Sequence, residues 1–270
     1  MPDSLDDAFL TRCKAYSTIQ RPGQFFSHVT AARLWGIPLP EWTPDEPLHV
    51  TTRAPLRAPR VSGVVGHQVE DGSVGAVMRH GLTVADAAST WLRISTHLTE
   101  YQLVAAGDYL VRTPRYAATD DGRPFTSIEM LSRRLSGFRG RGRRNALLAL
   151  PRVRTGVDSP QETRLRLLLV DSGLPEPVTD YELRDPAGGF VAWLDMFYPG
   201  IGLAVEYDGQ QHRTNDRQYS RDVARIDAIR TLGLDIARAD KFDLAGTGSN
   251  VIAVVTAKMR ARGWPGISAT

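Results

Sequence analysis

The stretch that most constrains this chain is V-A-W-L-D-M-F-Y-P-G-I-G-L-A-V-E-Y-D-G, residues 191–209. Two apolar runs flank Tyr198-Pro199-Gly200-Ile201-Gly202, whose proline and glycines supply turn chemistry. Folded about residues 200–201, the runs form a hairpin. Asp195 and Glu206 are equidistant from that turn, so they face one another. Alternate residues of a strand share a face. Leu203, Val205 and Tyr207 therefore point one way, and Ala204, Glu206 and Asp208 the other. Strand rise puts the two carboxylates of the second set about 7 Å apart. Carboxylates that close repel unless a cation or proton intervenes. A charge inside the apolar run around Asp195 is likewise costly to bury unpaired. For Glu206 and Asp208 the repulsion suggests an exposed edge or a divalent metal ion. For Asp195 facing Glu206 the explanations are a shared Mg²⁺, which takes oxygen ligands and keeps several waters, or pairing with an arginine.

The surrounding segments frame this hairpin. Ser159-Pro160-Gln161-Glu162 opens a helix that runs from Thr163 to Ser172 and stops at Gly173. β-like runs follow at Val178 to Arg184, Phe190 to Tyr198 and Ile201 to Asp208. A helix spans Asp216 to Leu232, a strand Leu234 to Ala239, and a last helix Asn250 to Arg262. The order is α-β-β-β-α-β-α. Ser-x-x-Glu is a capping box and Pro160 suits the first helical position, which accounts for Glu162 without catalysis. Asp222 and Arg225 sit at i,i+3 on the long helix, as a surface pair or as supports for the acidic site. His212 is the last histidine of the sequence. Beside Glu206 and Asp208 it can orient water or shuttle a proton.

Towards the N-terminus, residues 5–20 and Ser27 to Gly36 read as short helices, the second capped by Ser27 and stopped by Gly36. β-like runs at Leu48 to Thr52, Val61 to Val69 and Gly75 to Met78 follow them. Helices joined to a small β element suggest a winged-helix-like module. Val84 to Leu92, Leu98 to Val111 and Thr126 to Leu135 have helical spacing. Arg133 to Arg154 holds eight arginines and no acid. Such a segment is either a solvated connector or a phosphate-contacting surface, through Arg139, Arg141, Arg143 and Arg144.

Charge follows this division. Residues 1–154 carry 20 Lys+Arg against 14 Asp+Glu; residues 155–270 carry 13 against 16. A basic part beside an acidic part suits an enzyme of nucleic acids. With 270 residues the chain suits two domains or more. The expected organisation is a winged-helix-like region over 1–82, a helical connector with the basic segment over 83–154, and an α/β domain over 155–270. One cysteine, Cys13, excludes an internal disulfide and a cysteine-based zinc site. No apolar run is long enough to span a membrane and the acidic start lacks a secretory pattern. A soluble cytoplasmic protein is expected.

The pattern D-x(10)-E-x-D-G-x-x-H, followed by a helix with D-x-x-R, resembles the Vsr-like endonuclease domains of the PD-(D/E)XK superfamily, most of all a branch common in actinobacteria. Ser159-Pro160-Gln161-Glu162-Thr163-Arg164-Leu165-Arg166, Asp171-Ser172-Gly173-Leu174-Pro175-Glu176-Pro177 and Val205-Glu206-Tyr207-Asp208-Gly209 carry the resemblance. It covers Val157 to Ala239 and onward. The α-β-β-β-α-β order is similar to that superfamily's core. More loosely, Ser27-His28-Val29-Thr30-Ala31-Ala32-Arg33-Leu34-Trp35-Gly36 resembles AbiEi-type antitoxin winged-helix domains, which implies DNA binding near Arg33.

The Vsr-like resemblance implies a Mg²⁺- or Mn²⁺-dependent endonuclease acting on DNA, or on RNA. Asp195, Glu206 and Glu162 would hold the metal. Asp208 and His212 would complete the catalytic set, and Asp222, Arg225 and Gln210 would support it. The sequence departs from the pattern at the E-x-K lysine, where Glu206-Tyr207-Asp208 stands and no lysine occurs between residues 15 and 240. Asp208, Gln210, His212 or Lys241 must supply that function, and the resemblance favours His212. Without a substitute, the chain is instead a DNA-binding, antitoxin-like regulator with a retired nuclease fold. A third expectation is a repair enzyme confined to mismatched or damaged DNA. Metal between Asp195 and Glu206 favours the enzyme; an arginine on the carboxylates favours the regulator.

Overall fold

The computed structural model of the protein describes residues 7–40, 46–70, 72–115, 121–209 and 216–266, with the backbone alone for 216–221. The chain is mixed α/β and divides into two compact units, Met1–Val153 and Arg154–Thr270. No helix among the described residues is long and apolar enough to cross a membrane.

The first unit contains α1 (Asp7–Ser17), β1 (Gln24–Phe26), α2 (His28–Leu34), β2 (Leu48–Arg53), β3 (Val64–Val69), β4 (Ala76–Arg79), β5 (Leu82–Ala85), α3 (Ala87–Ile94), α4 (Glu100–Val111), α5 (Ile128–Gly137) and α6 (Arg143–Ala149). Its five strands are ordered β3-β2-β1-β5-β4. The β2–β3 and β1–β5 pairs are parallel; the β1–β2 and β4–β5 pairs are antiparallel.

Two sequence expectations change here. The short helices α1 and α2 form, but a strand not expected from the sequence, β1, lies between them. All three residues of β1 are buried, and so short a strand shows no readable period. Val84 and Ala85, expected to begin a helix, end β5 instead. The helix starts only after Asp86, whose Oδ1 accepts the Ser89 N–H at 2.7 Å as an N-cap. The expected boundary at 82/83 therefore falls inside β5, which pairs with both β1 and β4.

The arginine-rich segment is folded rather than a connector. It forms α5, α6 and one 3₁₀ turn at Leu150–Arg152. Gly142 opens α6 at φ +82°, and a Cβ there would lie 2.1 Å from Ser95 Oγ, so glycine is required. Asn145 Nδ2 then donates to the carbonyls of Ser95 and Leu98 at 2.8 and 2.9 Å, fixing α6 to the α3–α4 loop.

The second unit contains α7 (Pro160–Asp171), β6 (Val178–Arg184), β7 (Phe190–Tyr198), β8 (Leu203–Tyr207), α8 (Asp216–Thr231), β9 (Asp235–Ala239) and α9 (Ser249–Ala261). Its sheet order is β6-β7-β8-β9. The first two pairings are antiparallel and β8–β9 is parallel. The β7–β8 turn closes through the N–H groups of Ile201 and Gly202, which donate to Tyr198 O at 3.0 and 2.8 Å. Alternate residues of β8 enter different cores. Leu203 and Val205 pack with Leu165 and Leu169 of α7 and Val255 and Met259 of α9. Ala204 packs with Ile229 of α8, Leu194 and Ile236.

Candidate active site

The β7–β8 register runs Tyr198↔Leu203, Phe197↔Ala204 and Met196↔Val205, and its next step sets Asp195 beside Glu206. There Asp195 Oδ2 accepts the backbone N–H of Tyr207 at 3.2 Å. The carboxylate thus occupies the end of the hairpin ladder, next to Glu206.

Glu162 approaches the same place from α7. Ser159 caps the helix, accepting the Glu162 N–H at 3.2 Å. In return the Ser159 hydroxyl donates to Glu162 Oε1 at 2.8 Å, and the Asp158 N–H to Oε2 at 2.9 Å. The Ser159 cap forms as expected, but Glu162 accepts from the Asp158 N–H and the Ser159 hydroxyl rather than from the Ser159 N–H of a capping box. Burial, and then the charge of Asp195, push its pKa up to about 8. The two hydrogen bonds to its oxygens pull the other way. Burial beside a second carboxylate outweighs them and favours the neutral form of the side chain.

Glu206 is 5% exposed and is held by Arg225 of α8. Nη1 donates to Oε1 at 2.5 Å and Nη2 to Oε2 at 2.9 Å, a bidentate pair. Of the two explanations open for a buried acid here, arginine pairing is the one realised at Glu206. The same Nη2 lies 3.5 Å from Asp222 Oδ1, so the i,i+3 pair exists but is secondary. Asp222 lies 3.6 Å from Arg238 of β9, which in turn lies 3.1 Å from Asp208. Glu206, Arg225, Asp222, Arg238 and Asp208 form one chain of alternating charge.

The structure therefore brings together Glu162, Asp195, Glu206, Asp208, Asp222 and Arg225. His212 and Gln210 lie outside the described residues. Lys241, an alternative source of the missing cation, is exposed, with Nζ 5.0 Å from the ring centroid of its neighbour Phe242. Glu162 and Asp195 are oxygen donors of the type Mg²⁺ and Mn²⁺ take, and one or two carboxylates with waters suffice for Mg²⁺. Glu162, Asp195 and Glu206 do not converge as a three-ligand set. Among the described residues, the group of His, Cys, Asp or Glu whose ligand atoms all lie within 4.8 Å of one another is His28, His49 and His67.

That trio has no local motif. Its members stand in one helix and two β-like runs, and they meet through the β2–β3 register and the start of α2. A histidine recurring inside such runs is the one available sequence signal.

The arginines expected to contact nucleic acid divide by environment. Arg139, Arg141 and Arg144 are exposed, and Arg143 is half-buried. Arg33 is half-buried, its guanidinium carbon 4.0 Å from the Phe9 ring centroid, so it packs α2 against α1 rather than facing solvent. In the same segment Arg134 pairs with Asp86, Arg152 with Glu100 and Arg154 with Glu176. Part of its charge is thus offset within the fold.

No family model matches this chain, and no solved structure matches it. Over 99 residues it is 31% identical to uncharacterised proteins from two strains of Mycobacterium tuberculosis. The match spans 36% of this chain and 36% of each relative, so the chain covers little over a third of the curated relatives it matches.

Proposed function

We propose that the second unit is a Mg²⁺- or Mn²⁺-dependent endonuclease acting on DNA. The observation that carries this reading is that Asp195 of β7 lies beside Glu206 of β8 and acts on Glu162 of α7, which burial and that charge drive toward the neutral form. The α-β-β-β-α-β order, with β9 parallel to β8, supports it through its similarity to the PD-(D/E)XK core. Asp195 and Glu162 would hold the ion, with Glu206 joining on release from Arg225. The bound ion would supply Lewis acidity at the scissile phosphate and its attacking water. Asp208, or His212 outside the described residues, would orient that water. The exposed Arg139, Arg141 and Arg144 of the first unit would track the phosphate backbone.

One observation favours a second reading. Arg225 and Arg238 already balance Glu206 and Asp208, as in a DNA-binding regulator that has no use for a metal. Purified protein given Mn²⁺ and supercoiled DNA separates the two. The endonuclease nicks the DNA, and Asp195→Ala or Glu206→Ala abolishes nicking; undiminished cleavage by both variants sinks the assignment. Salt-sensitive binding with no cleavage under any divalent metal, on plain or mismatched duplexes, establishes the regulator. Cleavage restricted to mismatched duplexes identifies a repair enzyme.

A further inference from the structure

We propose that His28, His49 and His67 form a three-histidine site for a borderline transition-metal dication, zinc being the reference ion, in the first unit. One ring nitrogen of each lies within 4.8 Å of the others. The donor set is all imidazole, which suits Zn²⁺, Co²⁺ and Ni²⁺ and not Mg²⁺. This site is separate in chain and in chemistry from the carboxylates of the second unit.

The fold assembles the trio from rigid parts. In the parallel β2–β3 pair, His49 registers with Val65 and Thr51 with His67, so both histidines project from one face. Their rings approach until His67 Nε2 lies 3.1 Å from His49 Nδ1. His28 enters from the first position of α2 and stacks on His67 at 3.8 Å between centroids. Ser27 precedes it as N-cap, yet its hydroxyl makes no cap hydrogen bond. Ser27 Oγ instead lies 2.9 Å from His28 Nδ1 and 2.6 Å from Thr51 Oγ1. An oxygen on Nδ1 is the contact that fixes ring orientation in a metal-ligating histidine and leaves Nε2 to the ion.

His28 also has φ +50°. A histidine in the left-handed region costs energy, and such strain concentrates at sites that require it. Burial is the first cause lowering the pKa of all three, to about 4 for His49; neighbouring imidazoles add to it, and Arg93 does so at His28 and His67.

Arg93, at the end of α3, is the cation that acts on His28 and His67, and burial lowers its own pKa. It opposes a bare dication. Three protein ligands leave the fourth tetrahedral position open, and hydroxide or another anion there offsets part of the positive charge. His97, 6.0 Å from His49 between ring centroids, flanks the group.

The test uses the full chain, stripped with chelator and titrated with zinc and with cobalt. One equivalent should bind, and cobalt should give the intense visible absorption of a tetrahedral site. His49→Gln or His67→Gln should weaken binding about 100-fold or more, and Ser27→Ala about 10-fold, as outer contacts to ligands typically do. His28→Asn is the decisive variant, because asparagine tolerates positive φ and the fold survives. A folded His28→Asn protein with the wild-type cobalt spectrum overturns the site, as does a wild-type chain that takes up no zinc. An Asp195→Asn/Glu206→Gln chain should keep its equivalent; its loss would place the zinc in the second unit and also overturn the site.

Discussion

Arg225 grips Glu206 with both terminal guanidinium nitrogens, at 2.5 and 2.9 Å, across the face where β8 meets α8. The acid is nearly inaccessible, whereas the arginine side chain is 27% exposed. Losing the arginine strands a charge in a poorly hydrated place. Arg225→Met should therefore lower stability by roughly 2–4 kcal/mol without metal, below the full cost of breaking a buried pair because water reaches the arginine side. Under the endonuclease reading Mn²⁺ should restore much of that loss. Urea denaturation with and without Mn²⁺ measures both, and an unchanged midpoint would show the pair to be energetically idle.

Glu162 makes the stability of the second unit depend on pH. Its carboxyl is raised from 4.5 to about 8 in the folded chain. Below about pH 4.5 both folded and unfolded chains hold the proton and the full stability is present. As pH rises toward 8 the unfolded chain sheds the proton first, so stability falls across that window and levels off above it. The loss is on the order of a few kcal/mol. Glu162→Gln should flatten this slope and be the more stable protein at pH 8.5. Equal slopes for the two proteins between pH 5 and 8 would show that Glu162 does not carry the shift.

Arg139, Arg141 and Arg144 are exposed on the segment that contains α5 and α6. Each phosphate contact contributes about 0.9 to the slope of log affinity against log salt on duplex DNA. Replacing all three with glutamine should reduce that slope by about 2 to 3 in a fluorescence-anisotropy titration. A slope that does not move means DNA, if bound, lies elsewhere.

The parts of the fold legible in the sequence were those fixed by local rules. The β7–β8 hairpin followed from a Pro-Gly turn between alternating runs, and α7 from Ser159, Pro160 and Glu162 acting together. β1 was not legible, because three buried residues carry no period. The end of β5 reads as helix in the sequence because Val84 and Ala85 run straight into an alanine-rich helix, and only Asp86 marks the change. Arg225 shows the limit at the site. Its spacing advertised Asp222, but its main partner is Glu206, 19 residues away and on another element. The histidine trio is the extreme case, since its contacts exist only once β2 and β3 are in register.

The alternation along β8 has a consequence for how the second unit finds its fold. Val205 and Glu206 are neighbours whose side chains go to opposite faces, one among leucines and methionines, the other to Arg225. A slip of one residue would exchange them, driving a carboxylate into the α7–α9 core and a valine against a guanidinium. The strand thus proofreads its own alignment. Misaligned hairpins are rejected by the charge that the correct one uses.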